Sequence, residues 1–133
     1  MIEKVQRRAT KLIHEIKDLT YNERLKYLGL PSLKARRIRG DLIQCYKIFS
    51  NTDDLDISDF FKLSHYDRTR NSTNKIFIEH CSTNIRKFSF SNRIAPLWNK
   101  LTTVMKNARD TNQFKNLLDN WVNYKDILYD YDD

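Results

Sequence analysis

The chain has 133 residues and a mass of 16.0 kDa, the size of one ordinary domain. Its 2 Gly and 2 Pro argue against a turn-rich barrel or a Pro-rich linker, its 7 Phe, 7 Tyr and 2 Trp against full disorder. A net charge of +7 favours a polyanionic partner, nucleic acid before membrane, and no run approaches the ~20 apolar residues of a membrane span.

Ile2, Val5, Ala9, Leu12, Ile13 and Ile16 recur at helical spacing and predict an amphipathic helix over 2–18. Thr20 and Glu23 have capping-box spacing, so a short helix runs to Leu28 and stops at Gly29. Pro31-Ser32 opens a third helix, Leu33 to Phe49, whose first turns carry Lys34, Arg36, Arg37 and Arg39. Gly40 inside it costs about 1 kcal/mol relative to Ala, which a close approach of another helix would explain. One helical turn is expected over Ile57–Phe61. A polar, basic loop follows from Ser64 to Asn74. Lys75–His80 and Lys87–Phe90 favour strands, giving one hairpin. Ser91 caps a helix through Leu101 that Pro96 kinks or shortens. Asp110 or Thr111 caps the last helix, with Phe114, Leu117, Leu118, Trp121 and Val122 on one face. The expected fold is mainly α, a small domain of about five helices over 1–125 with a short β-hairpin insertion. An acidic tail over 126–133 is expected to be disordered.

Charge falls in blocks. Residues 1–40 carry net +7, 41–60 net −4, 61–109 net +8 and 110–133 net −4. Cys45, His65, His80 and Cys81 lack zinc-ligand spacing, and Cys45 fits a helix core. Asp53-Asp54 falls in a loop and Asp132-Asp133 ends the sequence, so neither is a rigid carboxylate pair. No Gly-x-Ser-x-Gly, His-Glu-x-x-His or P-loop occurs. No catalytic residue, metal, cofactor or small-molecule substrate is therefore expected. Two cysteines make no disulfide framework, and the start of the sequence lacks the apolar core of a secretory signal. The expected location is intracellular, in cytoplasm or nucleus.

The remaining pattern is basic residues interleaved with aromatics. Arg68, Arg70, Lys75, Arg86, Lys87 and Arg93 flank Tyr66, Phe77, Phe88 and Phe90. Cations neutralise phosphates and aromatic faces stack on unpaired bases. Phe77 and Phe88 are expected in the core, with Tyr66 and Phe90 open to either role. Lys34, Arg36, Arg37 and Arg39 cover most of a helix circumference, so some must face solvent or phosphate.

An ordered set of segments resembles a known family. Val5-Gln6-Arg7-Arg8-Ala9-Thr10-Lys11-Leu12-Ile13 is similar to the segment after the polymerase core in LINE-type (non-LTR) retrotransposon reverse transcriptases of the jockey and chicken-repeat kind. Tyr21-Asn22-Glu23-Arg24-Leu25, Leu28-Gly29-Leu30-Pro31-Ser32-Leu33 and Arg36-Arg37-Ile38-Arg39-Gly40-Asp41-Leu42 continue the order. Arg68-Thr69-Arg70, Asn84-Ile85-Arg86-Lys87, Phe90-Ser91-Asn92-Arg93, Leu97-Trp98-Asn99-Lys100-Leu101 and Phe114-Lys115 extend it across roughly residues 2–121. Three positions depart from the pattern: Asn71 and Thr102, where the family usually has Gly and Pro, and Pro96.

The resemblance implies a region beyond the thumb, downstream of fingers, palm and endonuclease, and so no enzyme in itself. It implies a segment that helps hold template RNA and target DNA in target-primed reverse transcription. On that basis the candidate nucleic-acid-binding residues are Lys34, Arg36, Arg37, Arg39, Arg68, Arg70, Arg86, Lys87 and Arg93. The alternative is a structural module that packs on the polymerase thumb of a parent protein. In that case the stripe Ile2, Val5, Leu12, Ile16 would lack a partner in the isolated chain.

Overall fold

A computed structural model describes residues 2–64 and 74–121. Among the described residues there are seven α-helices and no strand, so the chain is mainly helical. It divides into two compact units. The first holds residues 2–39 and 121, the second residues 40–120.

The first unit contains α1 (Ile2–Lys11), a 3₁₀ turn (His14–Ile16), α2 (Tyr21–Leu28) and the opening of α3 (Leu33–Phe49). α1 is shorter than its apolar spacing predicts, because Ile13 takes an extended conformation and ends the helix. Thr20 and Glu23 form the expected capping box, each satisfying the other's backbone N–H. Gly29 stops α2 in the left-handed region at φ 63°. The Leu30 N–H then reaches back to the Leu25 carbonyl at 2.9 Å, closing a Schellman motif. α3 has the expected bounds. Ser32 Oγ accepts from the Ala35 N–H at 3.1 Å.

α1 turns its polar side inward. Thr10 is buried and Glu3, Gln6 and Arg7 are half-buried, a spacing of i, i+3, i+4, i+7. Ile2, Val5 and Leu12 stand 70%, 67% and 86% exposed. Hydrogen bonds fix this orientation. Gln6 Nε2 donates to the Pro31 carbonyl at 3.1 Å. The buried Arg24 donates to Thr10 Oγ1 at 3.1 Å and to the Leu19 carbonyl at 2.6 Å. The Glu3 carboxylate accepts from the Tyr21 hydroxyl and from the Leu33 and Lys34 N–H groups, at 3.1 and 3.3 Å on Oε2. α3 has no acid in its own first turn, so Glu3 supplies the negative charge its positive end favours.

The second unit is built on aromatics. It holds the rest of α3, a 3₁₀ turn (Ile57–Asp59), α4 (Asn84–Lys87), α5 (Phe90–Lys100), α6 (Thr103–Lys106) and α7 (Thr111–Asp119). α4 and α6 are single turns, which is why the helices outnumber the five expected. Tyr46 stacks on Phe114 at 4.5 Å between ring centroids, and Phe49 on Trp98 at 4.7 Å. Each such pair adds about 0.5–1.5 kcal/mol beyond its buried area. Leu42, Cys45, Ile48, Ile94 and Leu118 are buried with them. Asp110 caps α7 as expected, accepting from the Gln113 N–H at 2.7 Å. The cap of α5 is Ser89 rather than Ser91, and Pro96 does not end the helix. Burial of Ile94, Ala95 and Trp98 around it holds the turn that the missing N–H weakens.

The expected β-hairpin does not form. Lys87 ends α4, Phe90 begins α5, and Phe88 and Ser89 are the turn between them, so no second strand forms there. The first is reduced to one antiparallel bridge, Leu63 with Ile76. Its other edge is satisfied by a side chain. Asn99 Oδ1 accepts from the Ile76 N–H at 2.9 Å, and Asn99 Nδ2 donates to the Ile76 carbonyl at 2.8 Å. A side-chain amide thus stands where a partner strand would. Gly40 lies in open space, with nothing within 4 Å of an added Cβ, so no close helix approach accounts for it. The residues expected to form the acidic tail, 126–133, lie outside the described residues.

Candidate nucleic-acid interface

Each unit carries a basic patch. In the first unit it sits at the start of α3. Ser32 and Ala35 are buried on one side of the turn, which leaves Lys34, Arg36 and Arg37 exposed on the other. The three cations share a surface cavity of about 400 Å³ with Ile2, Glu3 and Leu33. Glu3 already occupies the backbone N–H groups there, so phosphate would be met by the side chains. Arg39, one turn on, is half-buried.

In the second unit the patch gathers around Glu79. Its carboxylate takes Lys62 Nζ on one oxygen and Arg86 Nη2 on the other, the latter at 2.8 Å. The Lys62 hydrogen bond, more than any other contact, lowers the Glu79 pKa below the ordinary carboxylate value. Lys62 and Arg86 nevertheless keep most of their side chains in solvent. Lys87 is exposed and places its ammonium 5.8 Å from the centre of the Phe88 ring.

Arg93 has a different situation. Its Nε and Nη2 grip Asp41 at 2.6 and 3.0 Å, and Nη1 donates to the Phe88 carbonyl at 2.9 Å. The Asp41 hydrogen bond raises its pKa further. The bidentate pair braces α5 against α3, so most of this guanidinium's donors are engaged. Arg68, Arg70, Tyr66 and His65 lie outside the described residues.

Two aromatic expectations reverse. Phe77 and Phe88 are 52% and 61% exposed, not core. Without the hairpin, only Ile76 of the extended segment turns inward, and the alternation of side chains puts Phe77 outside. Phe88 follows the single turn of α4, beside the exposed Ile85. Phe90, left open from sequence, is half-buried and packs against Phe60 and Phe61.

Among the described residues no group of three His, Cys, Asp or Glu could hold a metal ion. Cys45 is buried, and burial pushes its thiol far above the ordinary range. Asp53 is occupied by Gln44 at 3.1 Å and Lys47 at 3.6 Å. Asp132-Asp133 lies outside the described residues. Sequence reasoning passed over three positioning residues, Glu3, Arg24 and Asn99. Glu3 had a signal: α3 opens on three cations and no acid, so an anion from elsewhere was to be sought.

No protein-family model, curated protein or solved structure matches this chain.

Proposed function

We propose that this chain is a non-catalytic nucleic-acid-binding segment of a LINE-type reverse transcriptase, holding template RNA or target DNA during target-primed reverse transcription. The activity comes from the family resemblance. The observation that carries the binding is the solvent-facing Lys34, Arg36 and Arg37 triad, three cations on one helical turn beside a cavity. Its partners are RNA, DNA or both, and it supplies no chemical step of its own. Fluorescence anisotropy on a structured RNA across a salt series tests this. Replacing Lys34, Arg36 and Arg37 together by Ala should flatten the log–log salt slope by about 2–3 units, whatever the RNA sequence. Unchanged slope and affinity would refute it.

A second reading, packing on the polymerase thumb of a parent protein, is favoured by one observation. Of the expected stripe, Ile2 and Val5 on α1 and Leu12 just beyond it face solvent while the polar side of the helix is held inward; Ile16, on the following 3₁₀ turn, is buried and does not belong to this surface. Lys4, Arg8 and Lys11 border it, which suits an apolar surface with an acidic margin. This face should bind hydrophobic dye or drive self-association, and Val5→Asp should abolish either. Dye binding and self-association absent in the wild-type chain would remove this reading.

A further inference from the structure

We infer that the second unit's basic patch takes unpaired nucleotides, with Phe77 and Phe88 as the faces on which bases stack. The inference rests on the nucleic-acid reading above and names the form of the ligand. Fully burying a Phe side chain stabilises a fold by roughly 1.5–3 kcal/mol, and here two rings are left largely in water. Both lie beside cations. Phe77 lines a cavity of about 290 Å³ together with Lys62 and Arg86 and with the carboxylates of Asp59 and Glu79, so a phosphate there would compete with Glu79 for the two cations. Ser89 and Asn92 also line it and supply hydroxyl and amide groups. Phe88 carries the Lys87 ammonium over its ring. Arg86 shares the Phe77 cavity and pairs with Glu79, while Phe88 has its own cation in Lys87. An exposed ring next to a cation offers a nucleotide both of its needs, a π-face for the base and a charge for the phosphate. A duplex hides its base faces, so it can use only the cations. An apolar protein surface would use the rings and gain nothing from Lys62, Arg86 and Lys87.

The test uses the full chain with labelled oligouridylate and oligothymidylate of about a dozen nucleotides, and a duplex of equal length. Phe77→Ala and Phe88→Ala, both exposed and each checked for an unchanged melting curve, should each weaken single-strand binding roughly 5- to 150-fold while leaving the salt slope unchanged. Phe88→Trp should keep or tighten binding. Arg86→Ala should flatten the slope by about one unit. Binding of the single strand with either sugar supports the inference, because stacking does not depend on the 2′-hydroxyl. Duplex binding as tight as single-strand binding, with both Ala variants like wild type, would overturn it and leave the nucleic-acid reading standing. Failure of every nucleic acid to bind at low salt would overturn both.

Discussion

α1 in the first unit and α5 in the second each carry apolar residues at helical spacing and use them in opposite ways. α5 buries Ile94, Ala95 and Trp98 and leaves Pro96 and Lys100 in water. α1 buries Thr10, half-buries Glu3 and Gln6, and exposes Ile2 and Val5, with Leu12 just beyond it exposed as well. The difference lies in the partners each helix meets. α5 meets rings: Phe49 and Phe114 against Trp98, Phe60 and Phe61 against Phe90. α1 meets the Arg24 guanidinium, the N-terminal turn of α3 and the Pro31 carbonyl. Hydrogen bonds to charged groups contribute about 1.5–3 kcal/mol each, so several of them can outweigh a short apolar stripe. Periodicity reveals that a helix has two sides. What the neighbours offer decides which side is inside.

The contrast can be broken at several points by urea denaturation. Trp98→Ala should cost about 3–5 kcal/mol, because it removes the largest buried ring and its stacking on Phe49. Arg24→Ala should cost about 2–3 kcal/mol despite removing no apolar contact the sequence pointed to. A loss below about 0.5 kcal/mol there would mean the polar side of α1 is not its anchor. Gly40→Ala should raise stability by up to about 1 kcal/mol, since the added methyl meets open space and helix propensity improves. Leu12→Ser should change stability by no more than about 0.5 kcal/mol. A cost near that of a core leucine would place the apolar stripe inward after all.

Acid should act weakly and on both units. Hydrogen bonds from Thr20 to Glu23, from the Ser58 N–H to Asp56, from Lys62 to Glu79 and from the Gln113 N–H to Asp110 lower these carboxyl pKa values. Their ordinary values are 4.5 for Glu and 3.8 for Asp. A lowered folded pKa gives stability that is fully present above the unfolded value and lost as pH falls through the folded one. Stability should therefore be flat with respect to these groups above about pH 5 and decline below about pH 4.5. A decline that begins near neutral pH would point to other groups.

Much of the helical frame is legible in the sequence because caps are local. Thr20 with Glu23, Gly29, Pro31-Ser32 and Asp110 fix ends of α2, α3 and α7 from residues within a few positions of each other. The hairpin was misread because its edge is satisfied by Asn99, which lies 23 residues from Ile76 and carries no strand signal. The exposure of Phe77 and Phe88 was not legible either, because an aromatic ring is by default a core residue and the sequence carries no local sign that these two stay in water. The Lys34, Arg36, Arg37 patch was legible, because three cations on one turn are too many to bury. Arg93 was not, because its partner Asp41 is 52 residues away.

The most direct test is the affinity of the wild-type chain for single-stranded RNA across a salt series, with folding checked at each salt. A log–log slope of about −4 or steeper is the expected result, meaning that several phosphates displace counterions at the exposed cations. A folded chain that fails to bind at low salt, or binds with no salt dependence, would contradict it.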